Sequence, residues 1–336
     1  MLSPPARPEQ PPERPHLKPW YRWAVAADDL VVEHGHTAHV LGGRAATTLL
    51  PRLLPLLDGT RTASELAAAL ETPPDAVLAA LRALHGLDLL LDGQPDAAAD
   101  DAAFRALAAS GLRHPAEVRA ALGRAEVAVV GEAPVAVAVE ELLRASGVAV
   151  ASRCDWDAAA RLAERAPAAF VVAAPAPGEV PRLDRWNADA VDAGGPAWLQ
   201  VLPYDGRIAV VGPVIVPGET CCRACFVRRR AAASGYGAEF DALETVAVRA
   251  GGGPALDAVV AGVAATTTLR WLVHGDASLP GVYHACERFG LAVSRHRVLR
   301  VPRCPVCSEV RDLATPLPWF KEQGPEVAPG AVEAVL

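Results

Sequence analysis

Apolar and polar positions alternate in short runs near the N-terminus and then change to helical spacing. The stretch WAVAADDLVVEHGHTAHVLGG, with turn signals at Asp28-Asp29 and Gly35, predicts short antiparallel strands at 23–27, 30–34 and 37–41. The apolar residues that follow predict helices at about 44–57, 62–70 and 72–86, closed by a strand in LDLLLDG. A small sheet, three helices and a final strand are the order of a winged-helix domain.

Beyond residue 125 the pattern changes to strands that alternate with helices. Apolar runs predict strands at 126–130, 148–152, 169–174 and 197–202, with helices between them at 134–146, 157–165 and 182–193. This alternation is typical of an α/β domain with a doubly wound, Rossmann-type parallel sheet. A hairpin-like GRIAVVGPVIVPG, a helix at 255–273 and strands near 281–286 and 293–301 complete the region.

These patterns divide the chain into two domains and a linker. We assign a disordered tail to 1–19, the winged-helix domain to 20–95, a linker with helices to 96–124, the α/β domain to 125–310 and a C-terminal tail to 311–336. The net charge of −7 gives no reason to expect nucleic-acid binding. Charged residues interrupt the longest apolar stretch, and the start has no signal-peptide pattern, so we expect a cytoplasmic protein without membrane contact.

Four of the seven cysteines form two Cys-x-x-Cys pairs, Cys222 with Cys225 and Cys304 with Cys307. Two such pairs complete a tetrahedral Cys₄ zinc site, which is coordinatively closed and therefore structural. The alternatives are ordinary thiols or a redox pair, and Cys221 could replace Cys222 as a ligand. An odd number of cysteines favours a metal in a reducing compartment over disulfides.

The first strand of the α/β domain ends in the turn GEAPVA, which differs from a nucleotide-binding loop. Such a loop needs several glycines so that backbone N–H groups can approach the phosphates. Gly131 is present, but Glu132 places negative charge where a phosphate would lie, and Pro134 removes a donor. Residues 125–310 contain no lysine. We therefore expect no ATP, although possible substitute contacts remain at Arg144, Arg182, Arg185 and Asp155.

Two modules of known type are similar to these segments. GHTAHVLGGRAATTLLPRLLPLLDGTRTASELAAAL resembles the PqqD-like recognition element of ribosomal natural-product (RiPP) pathways. Val127–Leu143, LDRWNADAV with Asn187, and VGPVIVPGETCCRAC with RCPVC resemble ThiF-like domains. The cysteine-containing phrase is typical of the ThiF-like (ocin-ThiF-like) partner proteins of azole-forming pathways, including thiopeptide pathways.

The resemblance implies a protein that is not a catalyst on its own. Such a protein binds the leader of a precursor peptide and presents the core to a separate YcaO-type cyclodehydratase, which uses ATP to form azolines. It also implies a possible homodimer. Two alternatives remain, an ATP-dependent adenylating enzyme and a zinc-stabilised winged-helix regulator. The third predicted helix has Arg82 as its only basic group, which argues against DNA recognition.

The leader is expected to add as a strand to an exposed edge of the small N-terminal sheet, because such an edge offers unpaired main-chain groups. On the third helix, Val77, Leu81 and Leu84 form one apolar stripe that we assign to the core. We expect His34 and His36 on one face of a strand and His39 on the other, as exposed histidines. The predicted peptide-binding residues are His36, Thr37, Ala38, His39, Val40, Leu41, Leu78 and Arg82.

Overall fold

A computed structural model describes most of the chain, namely residues 10–35, 37–93, 115–166, 169–235, 239–240, 242, 246, 252–288 and 292–308. The predicted peptide-binding residue His36, most of the predicted linker and the C-terminal tail lie outside the described residues.

The N-terminal domain begins with four strands, continues with helices and ends with a fifth strand. The strands are β1 Pro15–Leu17, β2 Arg22–Ala26, β3 Asp29–His34, β4 Thr37–Leu41 and β5 Leu90–Asp92. The helices are α1 Arg44–Thr48, α2 Leu50–Leu53, α3 Ala63–Leu70 and α4 Pro74–Gly86. Strands β2, β3 and β4 form a three-stranded antiparallel sheet with β3 in the centre, and β1 pairs with β5.

One predicted helix is broken into pieces. The segment expected to form a helix at 44–57 contains α1, α2 and a 3₁₀ turn over Leu54–Leu56. Pro51 and Pro55 explain the breaks, because each lacks the N–H that a continuous helix needs and is tolerated only in a first turn. In contrast, α3 begins at the predicted residue with a capping box, in which the Thr62 N–H donates to Glu65 Oε2 at 2.8 Å.

The segment assigned to an N-terminal tail is folded over its last residues. Strand β1 pairs with β5, and the Lys18 side chain is only 2% exposed. Its Nζ lies 3.0 Å from Asp88 Oδ2, and a buried charge needs such a partner. The expectation that Lys18 lies in a tail was wrong, since residues 15–18 belong to the N-terminal domain.

The second domain has helices on both faces of a large mixed sheet. Its strands are β6 Glu126–Val130, β7 Val150–Cys154, β8 Phe170–Ala173, β9 Trp198–Leu202, β10 Ile208–Ile215, β11 Val282–Glu287 and β12 Val293–Arg297. Its helices are α5 Pro115–Arg124, α6 Pro134–Ala145, α7 Trp156–Arg165, α8 Arg182–Ala193, α9 Arg223–Ser234 and α10 Pro254–His274. The strand order is β7-β6-β8-β9-β10-β11-β12.

The predicted parallel arrangement holds for half of this sheet. Strands β7, β6, β8 and β9 are parallel, as expected for a doubly wound fold, whereas β9, β10, β11 and β12 pair antiparallel. Helices α5, α6 and α10 pack on one face, and α7, α8 and α9 pack on the other. Helix α10 has the length and composition of a membrane span, but Leu256, Val260 and Ala264 are buried in the core.

Candidate metal centre and peptide-binding edge

The two Cys-x-x-Cys pairs meet at one end of the α/β domain. Cys222 precedes α9 and Cys225 lies in its first turn, while Cys304 and Cys307 lie in turns after β12. All four side chains are buried, and their Sγ atoms lie within 4.8 Å of one another. Among the described residues they form the group that could hold a metal ion, called here the four-cysteine cluster.

The sulfur separations fit a tetrahedral ion. Zinc–sulfur bonds of about 2.3 Å place tetrahedral sulfurs about 3.8 Å apart. The Sγ atoms of Cys222 and Cys225 are 3.8 Å apart, those of Cys222 and Cys304 are 3.6 Å apart, and those of Cys225 and Cys307 are 3.5 Å apart. Cys221 is buried outside the four-cysteine cluster, so the geometry selects Cys222 rather than its neighbour.

Hydrogen bonds also distinguish these thiols. The Cys222 thiol and the backbone N–H of Val301, at 3.3 Å, both donate to Cys225 Sγ, which lowers the pKa of Cys225 and raises that of Cys222. Burial raises the pKa of Cys221 to about 12. A thiolate is the form that binds metal, so these bonds prepare Cys225 as a ligand, and it is the position of the sulfur that separates Cys222 from Cys221.

Arginines hold the second cysteine turn against the first. Arg229 on α9 donates to the carbonyl oxygens of Leu299 and Arg300 at 3.4 and 3.2 Å. Arg300 in turn donates to the carbonyl oxygens of Gly218, at 3.0 Å, and of Cys307. These bonds explain how cysteines far apart in sequence come together.

Sequence reasoning missed a buried arginine between the two ligands of the first pair. Arg223 is 1% exposed, and its Nε donates to Asp184 Oδ1 at 2.8 Å. Its NH1 donates to Gln200 Oε1 at 3.2 Å, and its backbone N–H donates to Asn187 Oδ1 at 2.8 Å. The sequence shows Arg223 within CCRAC, but its partners lie on α8 and β9 and become visible only in three dimensions.

The one glycine retained in the GEAPVA turn has a packing role. Gly131 has φ +127°, and a Cβ at this position would lie 2.1 Å from the carbonyl oxygen of Ala174. The Ala174 N–H donates to the Val130 carbonyl at 2.8 Å, which fixes the end of β8 against the end of β6. The close approach of two strand ends therefore requires this glycine, whether or not a phosphate is bound.

The start of α6 offers few free donors. Pro134 has no N–H, and the Ala136 N–H already donates to the Ala133 carbonyl at 2.8 Å. The N-terminus of a helix binds phosphate through free backbone N–H groups. Because residues 134 and 136 offer none, the start of α6 is a weaker phosphate-binding site than a glycine-rich turn.

The neighbouring cavity, of about 450 Å³, contains more acidic than basic side chains. Arg153 is paired with Glu140 at 2.8 Å, and Arg182 with Glu179 at 3.1 Å. Asp155, considered above as a ribose contact, accepts the Ala158 N–H at 2.7 Å and caps α7. Both arginines of the cavity are thus already neutralised by carboxylates.

In the N-terminal sheet, β4 is an edge strand. It pairs with β3 on one side and with no described strand on the other. Val40 is 64% exposed, whereas Leu41 packs against the helical core. The strand contains five of the predicted peptide-binding residues, Thr37, Ala38, His39, Val40 and Leu41.

Helix α4 presents the predicted stripe to the core. Val77, Leu81 and Leu84 are fully buried, as the helical spacing indicated. Leu78 is half-buried and Arg82 is exposed, so both lie beside that stripe. Peptide binding by these residues stays a prediction.

The histidines near β4 differ from the expectation. Gly35 has φ +60° and reverses the chain between β3 and β4, so the alternation of a single strand does not continue from His34 to His39. His39 lies opposite Val32, and His34 follows Val32 by two residues, so His34 and His39 share a face. Both pack near the Tyr21 ring, with centroids 5.6 and 6.4 Å away. The assignment of His39 to the opposite face was wrong.

The comparisons with known proteins concern the fold. No protein-family model matches the chain, and no curated protein matches it. A solved heterocyclase in complex with substrate and cofactor aligns with TM-score 0.69 and 21% identity over 89% of this chain. The heterocyclase TruD aligns with TM-score 0.66 and 23% identity over 88% of the chain. E. coli MccB with ATP aligns with TM-score 0.62 and 14% identity over 87% of the chain.

The extent of each match differs between these proteins. This chain spans 40% and 43% of the two heterocyclase chains, but 99% of MccB. At such identities the similarity shows a shared mixed α/β fold.

Proposed function

We propose that this protein is a leader-peptide-binding scaffold subunit in RiPP biosynthesis. It would present a precursor peptide to a separate YcaO-type cyclodehydratase that forms azolines. The observation that carries this proposal is the open edge of β4, which has no described strand on its outer side and carries the exposed Val40. The similarity of the fold to that of two solved heterocyclases, over 89% and 88% of this chain, supports a role in the same kind of pathway.

The scaffold acts through binding and proximity. A leader strand added to β4 forms main-chain hydrogen bonds, while Leu78 contacts an apolar side chain and Arg82 a carboxylate. Holding the leader in this way keeps the core peptide at high effective concentration beside the partner's active site. The chain itself then needs no reactive group.

The four-cysteine cluster fits a structural zinc ion. Four thiolate ligands leave no open coordination position, so a bound ion would join the start of α9 to the segment after β12 without contacting substrate. The buried Arg223 network and the Val301 N–H bond would orient the first ligand pair.

A second candidate function is ATP-dependent adenylation of a peptide, with the chain acting alone. The match to nearly the full length of MccB, solved with ATP, favours it. The loss of donors at the start of α6 and the paired Arg153 and Arg182 argue against it. A zinc-stabilised winged-helix regulator has less support, because Arg82 is the only basic side chain that α4 offers apart from His85.

The leader site can be tested with the leader of a candidate precursor peptide, a short chain whose core is rich in Cys, Ser and Thr. Fluorescence anisotropy with a labelled leader should show binding, and methylation of alternate main-chain nitrogens of the leader should abolish it. Val40→Glu on β4 should weaken binding, whereas Val25→Glu should not. Val25 is 45% exposed on β2, the opposite edge strand, and is a matched control. Equal losses at both positions, or none, would refute the assignment to β4.

A further inference from the structure

Strand β12 leaves one end of the large sheet open. It pairs with β11 and is the outermost strand there among the described residues. All five of its residues are exposed. An edge strand of this kind presents unpaired N–H and C=O groups to which another strand can bind.

The hydrogen bonds to β11 determine which residues of β12 face the open edge. The Val298 N–H donates to the Gly281 carbonyl at 2.7 Å, and in an antiparallel ladder every second residue bonds to the neighbouring strand. The even-numbered residues of β12 therefore direct their main-chain groups towards β11. The main-chain groups that face outward belong to Val293, Arg295 and Arg297.

These three outward-facing residues also share one face of the sheet. They pair in the register with Cys286, His284 and Val282, and Cys286 packs in the core beneath α10. Directly paired residues have their side chains on the same face of a sheet. The stacked rings of Tyr283 and His296 therefore lie on the opposite face, away from the two arginines.

Positive charge collects at one end of this edge. The Arg297 guanidinium has no hydrogen-bond or ion-pair partner among the described residues, and Arg295 donates to a backbone carbonyl at 3.1 Å. On α10, Arg270 pairs with Asp276, which is thereby neutralised. Burial lowers the pKa of His284, and the charges of Arg295 and Arg270 lower it further. In a chain of net charge −7, this local excess favours an acidic partner.

The other end of the edge is apolar. Val293 is 46% exposed and lies at a pocket of about 430 Å³ between β12 and the start of α10. Most of the pocket lining is apolar, including Leu256, Val259 and Cys286. An apolar side chain beside Val293 can therefore be buried there.

From this edge we infer that β12 binds an extended acidic segment of a partner protein by antiparallel strand addition. Carboxylates at i and i+2 lie about 7 Å apart on one face of the added strand, opposite Arg297 and Arg295. An apolar residue at i+4 then lies opposite Val293, at the apolar pocket. Main-chain bonds supply affinity, while the charges and the pocket select the sequence.

A second copy of this chain fits the same edge poorly. In the antiparallel register that pairs all three outward-facing residues, the two copies place their Arg295 side chains directly opposite each other. Like charges in this position are destabilising, whereas an acidic strand forms opposite-charge pairs. The inference does not rest on the proposed leader site, because β4 belongs to the other sheet.

The test uses the full-length protein and two labelled peptides of identical composition. In the first, glutamates occupy i and i+2 and a leucine occupies i+4, with threonines between them. In the second, the glutamates occupy i and i+1, so that only one can lie opposite an arginine. Fluorescence anisotropy should show binding of the first peptide, at least about threefold weaker binding of the second, and loss of affinity with added salt.

Strand addition also predicts which main-chain groups of the peptide matter. Methylation of the nitrogens of the two glutamates should abolish binding, because these N–H groups face β12. Methylation of the threonine nitrogens should not, because these groups face solvent.

On the protein, R295E/R297E should weaken binding of the first peptide by at least about tenfold. A peptide with lysines in place of the glutamates should bind this variant and not the unmodified protein. Arg161→Glu should leave binding of the first peptide unchanged, because Arg161 is exposed on α7, which follows the opposite edge strand β7. Thermal unfolding of each variant reports whether it is folded.

Four results would overturn the inference. They are failure of the first peptide to bind, equal binding of both peptides, binding that survives methylation of the glutamate nitrogens, and displacement of the first peptide by single-stranded DNA at lower concentration than by unlabelled peptide.

Discussion

Replacing Gly131 by alanine tests why the GEAPVA turn keeps its one glycine. If the residue is needed for close packing of strand ends, the variant must lose stability even though no ligand is present. If it is retained only for a phosphate, the folded protein should tolerate the change.

The expected loss follows from the geometry. At φ +127° an alanine is in a backbone region that costs on the order of 1–3 kcal/mol. Its Cβ would also lie 2.1 Å from the Ala174 carbonyl oxygen, and overpacking of this kind costs about 1–3 kcal/mol more. We expect a loss of about 2–6 kcal/mol in the free energy of unfolding, a large part of the stability of an ordinary domain.

Urea unfolding followed by tryptophan fluorescence measures this loss, since Trp198 is fully buried in the same sheet. Gly178→Ala is the matched control, because Gly178 lies in the turn after β8 and an added Cβ there has no atom within 4 Å. Neutral surface substitutions change the free energy of unfolding by up to about 0.5 kcal/mol. If Gly131→Ala changes it by no more than that, the packing argument is refuted.

Three further substitutions test other parts of the account. Leu78→Ala should weaken leader binding about tenfold in the anisotropy assay, because a buried apolar anchor contributes about 1.5–3 kcal/mol. Leu142→Ala, on the exposed surface of α6, should have no effect in the same assay. Cys304→Ser should lower the zinc content measured by elemental analysis and Cys286→Ser should not; zinc-free unmodified protein would contradict the assignment. Arg223→Met should lower the unfolding temperature, since it leaves Gln200 and Asp184 without their donor; an unchanged temperature would show that the network contributes nothing.

Local patterns predicted most elements of the fold and the pairing of the cysteines. Strands β2, β3 and β4 lie within a residue of their predicted bounds, because alternation and turn residues are short-range signals. The two Cys-x-x-Cys pairs also come together as expected. For the strands the deciding information lies within a few neighbouring residues, and for the cysteines it lies in the ligand chemistry that two such pairs share.

Contacts between distant segments could not be predicted in this way. The burial of Lys18 depends on Asp88, and the network of Arg223 depends on α8 and β9. The side of the sheet on which His39 lies depends on the register between β3 and β4, in which His39 pairs with Val32. None of these partners is marked by spacing or periodicity.

Reconstitution with a matching YcaO-type enzyme tests the central proposal most directly. Mass spectrometry of the precursor peptide, incubated with ATP, would follow the loss of water as azolines form. The account predicts no change with this protein alone, slow or no conversion with the YcaO-type enzyme alone, and rapid conversion with both. Formation of azolines or of a peptide adenylate by this protein alone would contradict the scaffold assignment and favour the adenylating enzyme.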